Sequence, residues 1–306
     1  MTDSAASDPH PTVAHIRHIA VGVDGTAEAR DAAVLTAAMA RATGADVILI
    51  GVLSDPVVIP LTGLSWTELQ KQAELMLAQT RDELVPGARP VTVTDVSVSR
   101  GLERVVAREH CDLLVVGSTP DGPEGLVRIG RRTRQLIGDA ACALAIAPRG
   151  LEHQDQITLE RIGVGYDGGP EAEAALALAG SLARACGAEL SIRAVVDDRL
   201  PVFGLSGSQR ARLNAEWQEL VAADVERLRL GAVEAAKSAG VDARVEAMGG
   251  PPPSLLLELG ESVDLLVIGS RRWGAFARLV LGSTGEALVH DATCPLLVVP
   301  RIDDQA

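Results

Sequence analysis

The chain repeats itself, and this restricts its fold more than any other feature. HIAVGVDGTAEARDAAVLTAAMARATGADVILIGVL begins at His18, and RIGVGYDGGPEAEAALALAGSLARACGAELSIRAVV begins at Arg161. Asp24 aligns with Asp167, Gly44 with Gly187 and Val52 with Val195, all at an offset of 143 residues. Further on, CDLLVVGS from Cys111 aligns with VDLLVIGS from Val263. There Gly117, Gly130, Cys142 and Pro148 align with Gly269, Gly282, Cys294 and Pro300 at an offset of 152. The change of offset places about nine additional residues in the middle of the second copy. A period near 150 residues is far longer than the ~20–50 residues of a solenoid unit. It is the length of a domain, so the chain is read as a duplicated domain. The expected divisions are a tail over 1–15, a first domain over 16–149, a polar linker (GLEHQDQIT) over 150–158 and a second domain over 159–306. The tail has neither the basic start nor the apolar run of a secretory signal.

Each copy alternates two periodicities. In copy 1, IAVGV (19–23), DVILIGVL (46–53), VTVTDVSV (91–98), DLLVVGS (112–118) and ALAIAP (143–148) read as strands. Between them, helical spacing predicts helices over 26–43, 66–84, 101–109 and 131–141. Copy 2 gives strands near 162–166, 189–196, 241–247, 264–269 and 295–299. Strands this apolar, separated by helices, imply a parallel sheet covered on both faces. Right-handed crossovers then favour two doubly wound α/β domains, flavodoxin-like or Rossmann-like. In such sheets ligands sit beyond the carboxyl ends of the strands. The informative loops therefore follow strands 1 and 4 of each copy.

Composition narrows the classes of function. With 28 basic against 41 acidic residues the net charge is −13, which disfavours a broad nucleic-acid or anionic-membrane face. Aromatics are 2% of residues, so base-stacking platforms are scarce. No apolar run approaches the ~20 residues of a membrane span. Four cysteines, none in a C-x-x-C pair, make no disulfide framework and point to a reducing compartment.

Against this acidic background the loop after strand 4 of copy 2 stands out. It runs from Gly269 through Arg271, Arg272, Trp273 and Arg278 to Gly282-Ser283-Thr284, which opens a helix. Glycines admit a phosphate to the backbone, and a helix N-terminus offers unpaired N–H groups with a positive dipole end. Two hydroxyls and three arginines suit a polyanionic small molecule. The plain alternative is a glycine turn, a capped helix and solvated arginines.

This order of elements resembles the universal stress protein family in its tandem form, over residues 16–149 and 159–301. The family's nucleotide motif is Gly, two residues, Gly, nine residues, Gly, then Ser or Thr. Copy 2 has Gly269, Gly282 and Ser283 at those separations, but Arg272 stands at the second glycine, with Gly274 nearby. The resemblance implies a cytoplasmic, stress-linked regulator that binds ATP, with a bridging Mg2+, mainly in domain 2, and hydrolyses it slowly at most. By the same resemblance Asp167, beside Gly165, would hold the ribose, and Val195 the adenine edge. Gly269, Arg271 and Arg272 would line the phosphate side, with Gly282, Ser283 and Thr284 on the phosphates. Copy 1 keeps Asp24, Val52, Gly117 and Gly130, but Pro120 replaces the second glycine and Arg131 the hydroxyl residue. Its site is expected to be weak or absent, with Arg131 either touching phosphate, filling an empty phosphate site or simply solvated. In the family the fifth strands pair. Here ALAIAP and LLVVP can pair within one chain as a pseudo-dimer, and a homodimer of chains is a further possibility.

Two other functions compete. One is a scaffold that binds no nucleotide and acts through an unidentified protein partner, favoured by Arg272, Pro120 and Arg131. The other is a dinucleotide-dependent enzyme, because GVGYDG (163–168) satisfies G-x-G-x-x-G and Asp197 follows strand 2. Gly163 falls inside the strand, and copy 1 has Ala20 there, which argues against it. No G-x-x-x-x-G-K-[ST] and no G-x-S-x-G occurs, and the six histidines have no metal-ligand spacing.

Overall fold

The computed structural model describes residues 15–54, 65–139, 142–154, 157–199, 207–272 and 279–300. The first half runs β1 (His18–Gly22), α1 (Ala27–Thr43), β2 (Asp46–Ser54), α2 (Trp66–Leu84), β3 (Arg89–Asp95), α3 (Val98–Arg108), β4 (Leu113–Gly117), α4 (Arg131–Asp139) and β5 (Ala143–Ala147). The second runs β6 (Arg161–Tyr166), α5 (Pro170–Cys186), β7 (Glu189–Val196), α6 (Gly207–Ser238), β8 (Arg244–Gly249), α7 (Pro252–Gly260) and β9 (Leu265–Gly269). A short ribbon of β10 (Arg271–Arg272) and β11 (Leu279–Val280) follows, then α8 (Ser283–Asp291) and β12 (Leu296–Val299). Much of the second copy's added length lies in α6, which has 32 residues against 19 in α2.

The helices begin and end where local chemistry says they should. Thr26 caps α1 by accepting from the N–H of Ala29, and α2 opens with a capping box in which Ser65 and Glu68 satisfy each other's backbone. Pro170 opens α5, and Gly44 and Gly187 close α1 and α5 in the left-handed conformation. The β3–α3 boundary differs from the sequence pattern. The alternation VTVTDVSV suggests a strand to residue 98, but β3 ends at Asp95, whose carboxylate accepts the N–H of Ser97. That turn starts α3 at Val98, three residues before its expected beginning.

Within the main sheet the strands of each half are parallel, in the order β3-β2-β1-β4-β5 and its equivalent β8-β7-β6-β9-β12. The halves join because β5 and β12 pair antiparallel, giving one ten-stranded sheet. In that ladder Ala145 faces Leu297, and these positions are equivalent in the repeat. A pseudo-twofold axis therefore passes between them. The pairing buries both strands completely and removes two open edges. Helices cover both faces, and the core on each face includes residues of both halves. The segment between β5 and β6 is not simply a polar connection. Leu151 is buried in a 3-10 turn, and the buried Asp31 of α1 accepts the N–H groups of Gly150 and Glu152 at 2.8 Å each.

The Asp-Leu-Leu motif has a structural purpose. Asp112, ahead of β4, accepts the backbone N–H groups of Arg17 and His18 at 2.7 and 2.9 Å. Its equivalent Asp264, ahead of β9, accepts those of Glu160 and Arg161 at 3.0 and 2.8 Å. Each carboxylate thus ties the entrance of the first strand to that of the fourth.

Candidate functional site

A cavity of about 480 Å³ opens at the carboxyl ends of β6, β7 and β9 and is closed by the first turns of α7 and α8. It brings together Gly165, Asp167, Val195, Gly269, Gly282, Ser283 and Thr284.

 Gly165 and Thr284 stand 119 positions apart in the chain, and the fold makes them neighbours. Sequence reasoning expected these seven residues to share a site. Arg271 and Arg272 form β10, whose backbone pairs with β11 at the base of the loop. Trp273, Gly274 and Arg278 lie outside the described residues.

Each part of the wall has a local cause. Asp167 follows β6, and its carboxylate accepts the N–H of Gly169 at 2.9 Å, which fixes the turn into α5. Val195 is buried near the end of β7. Gly282 is the N-cap of α8 and brings no side chain to it. The free N–H groups of the first turn, with the hydroxyls of Ser283 and Thr284, therefore remain available at the cavity wall. At α1, by contrast, the Thr26 hydroxyl accepts the N–H of Ala29.

Gly269 has a reason of its own. A Cβ placed there would stand 2.5 Å from the carbonyl carbon and oxygen of Glu171, in the first turn of α5. The equivalent Gly117 would meet the carbonyl oxygen of Glu28 at 2.0 Å. Both glycines let the helix after strand 1 cross the end of strand 4 at backbone contact. The same requirement holds in both halves, so this glycine is set by packing before any ligand is considered.

The cavity also contains groups that the sequence pattern did not single out. Tyr166, Ser270, Leu256 and Ile268 line it, as does Arg199, two residues beyond Asp197. Arg199 pairs with Asp197 and holds its carboxyl below the usual range. Asp197 is thereby engaged, and Gly163 and Gly165 lie within β6 against the leucines of α7. The literal G-x-G-x-x-G is therefore a strand packed on a helix, not a phosphate turn. Arg199 was legible only as a charge near a strand end. Ser270 could have been found by its place directly after Gly269.

A larger groove of about 920 Å³ lies on the opposite face, between α5 and α6. It shares Tyr166, Asp167 and Val195 with the first cavity but holds none of the Gly-Ser-Thr segment. The smaller cavity is the candidate site because the helix N-terminus and the strand ends converge on it.

The first half has a different fate. Asp24 accepts the N–H and hydroxyl of Thr26 at 3.1 and 2.6 Å, and Val52 packs on Gly101 of α3. Gly130 precedes α4 and its carbonyl accepts the N–H of Arg134. Between Gly117 and Gly130 the loop closes on itself. Ser118 donates to the carbonyl of Ala147 at 2.7 Å and accepts from the N–H of Arg128 at 3.1 Å. Arg149 donates to the carbonyl of Gly122 at 2.6 Å. Arg131 stands exposed.

Fold and site together define a tandem, doubly wound α/β protein whose cavity lies at the strand ends of its second half. The chain belongs to the universal stress protein family: the profile of the Universal stress protein family matches residues 15–148 and 158–300. It is 29% identical over 217 residues to a universal stress protein of Mycobacterium tuberculosis, covering 67% of this chain and 69% of that one. A universal stress protein of Thermus aquaticus is 35% identical over 138 residues, 44% of this chain and 93% of its own. Among solved structures, a universal stress protein of Archaeoglobus fulgidus superposes with a TM-score of 0.67 at 18% identity, covering 93% of this chain and 98% of its own. The tandem architecture is thus shared along the whole fold. Among the described residues no helix is long and apolar enough to cross a membrane.

Proposed function

We propose that this protein is a stress-response regulator that binds an adenine nucleotide, ATP in the first instance, in the cavity of its second half. The observation that carries this reading is the convergence of Asp167, Val195 and the uncapped start of α8 on one cavity of about 480 Å³. A helix N-terminus without a side-chain cap suits phosphate oxygens, because its N–H groups and dipole end both favour an anion. Asp167, exposed at the mouth, is placed to accept from ribose hydroxyls, and the buried Val195 offers an apolar edge for the base. By the family resemblance Arg271 and Arg272 would line the phosphate side.

Mg2+ would be held mainly by phosphate oxygens and water, since the described residues contain no group of three or more acidic, His or Cys side chains arranged for a metal. Such an ion would neutralise phosphate charge. No side chain stands out as a general base, so the reading is of binding, with hydrolysis slow at most. The first half keeps Asp24, Val52, Gly117 and Gly130, but its loop is folded onto itself and onto the other half. We infer one nucleotide per chain, in a cytoplasmic protein whose fifth strands already pair within the chain.

The test is calorimetric titration of stripped protein with ATP, beside mass spectrometry of small molecules released on denaturing freshly purified protein. About one equivalent is expected. Gly282→Asp should abolish binding, because it places a carboxylate at the end of α8 that receives the anion. Absence of both released nucleotide and titration heat would replace this reading with the scaffold.

A further inference from the structure

The first-half loop equivalent to the phosphate-motif loop reaches across to α8 of the second half, as β11 of the second half reaches α4 of the first. Val127 donates its N–H to the carbonyl of Ala292 at 2.7 Å, and Ile129 donates to that of Val289 at 3.1 Å. Val289 lies in the last turn of α8 and Ala292 is its C-cap. The final carbonyls of a helix have no partner within it. Here two of these terminal acceptors are satisfied by N–H groups more than 150 residues earlier in the chain. The side chains of Val127 and Ile129 are buried in the core that contains Leu288, Val289 and Ala292.

A third contact lies near the pseudo-twofold axis. Arg134 donates to both carboxylate oxygens of Glu286, at 2.6 and 2.8 Å, and approaches Nε2 of His290 at 3.2 Å. Positions 134 and 286 are themselves equivalents in the repeat, at the offset of 152. In a dimer of identical domains this position would face its own copy. In the duplicated chain one became Arg and the other Glu, so a self-contact turned into an ion pair.

We propose that the first half acts as a brace on α8, and that Arg134, with the backbone of Val127 and Ile129, is a positioning element for the cavity at the other end of that helix. This rests on the nucleotide reading for its functional consequence. The helix has nine residues, about 13 Å of length, and a helix this short is not stable alone in water. Its C-terminal end is capped by the first half, while its N-terminal end presents Gly282, Ser283 and Thr284 to the cavity. A tilt at the braced end moves the donors at the free end. The departures Pro120 and Arg131, which weaken the first half as a nucleotide site, sit on the same loop and helix as the brace.

The experiment uses the full chain. Arg134→Glu opposes two carboxylates, and Arg134→Glu with Glu286→Arg restores the pair at unchanged net charge. Ile129→Pro deletes the donor to Val289 and is read only if circular dichroism shows a folded protein. ATP affinity is measured by calorimetry, and α8 protection by hydrogen exchange with mass spectrometry. Arg134→Glu should weaken ATP about fivefold or more and speed exchange of α8 amides, and the double swap should recover both. A folded Arg134→Glu protein with wild-type affinity and wild-type α8 exchange overturns the proposal. If the wild-type protein binds no ATP, exchange alone decides. Faster α8 exchange then upholds the brace and removes the nucleotide reading, and unchanged exchange removes the brace.

Discussion

The paired glycines at the ends of β4 and β9 give a quantitative test. Replacing Gly117 with Ala puts a methyl 2.0 Å from the carbonyl oxygen of Glu28 and 2.5 Å from its carbonyl carbon. Replacing Gly269 puts one 2.5 Å from the same atoms of Glu171. Carbon contacts become favourable only near ~3.5 Å, so α1 and α5 must each retreat by about 1 Å or more from the sheet. That retreat loosens fully buried residues on the same helices, such as Leu35 of α1 and Leu176 and Leu178 of α5. Overpacking of this kind costs about 1–3 kcal/mol, and contact with backbone rather than a flexible side chain puts both variants at about 3 kcal/mol. The controls are Gly44→Ala and Gly187→Ala. Those glycines have left-handed φ values of 70° and 67° but nothing within 4 Å of an added Cβ. They should lose about 1 kcal/mol from backbone strain alone. Urea unfolding without nucleotide, followed by circular dichroism, measures all four. Wild-type midpoints for Gly117→Ala and Gly269→Ala would refute the packing argument and return the motif glycine to a ligand role.

Four more outcomes are expected. Burial pushes the thiols of Cys142 and Cys294 up to about 12 and that of Cys111 up to about 11. The unfolded chain ionises thiols near ~8.5, so above that pH it sheds protons the native state keeps. Their contribution to stability is therefore complete below about pH 8.5 and is lost as pH rises toward these native values, which urea midpoints between pH 8 and 10.5 will show as a steady fall. Ellman's reagent at pH 8 should leave these three thiols unreacted until denaturant is added. Asp112→Ala and Asp264→Ala each strip two strand-entrance N–H groups of their acceptor and should cost about 1–2 kcal/mol apiece in urea unfolding; no loss from either would refute the tie between strands 1 and 4. Ala145→Pro, in the strand at the pseudo-twofold axis, should lower stability by about 3 kcal/mol or more, seen as a lower unfolding midpoint.

Most elements were legible because their signals are local. Alternating apolar runs and helical spacing need only a window of about a dozen residues. The helix α2 falls on residues 66–84 as the spacing predicts. The β3–α3 boundary was missed because the alternating pattern continues past the point where Asp95 turns the chain. In the site, seven of the expected residues share a cavity because the repeat aligned them with strand ends. Arg199 and Tyr166 escaped because neither belongs to a repeated pattern: copy 1 has Val23 where copy 2 has Tyr166.

By itself the sequence determined a duplicated, doubly wound α/β chain with a better-kept motif in its second copy. Duplication and periodicity are written along the chain, and burial of both sheet faces admits few other solutions. Only the tertiary structure decided what the motif positions do. It showed that Gly117 and Gly269 answer to a helix crossing at backbone contact, and that the loop before Arg131 reaches across to cap α8. These contacts join residues from about 90 to more than 150 positions apart, and no local pattern encodes which backbone atom will lie beside which.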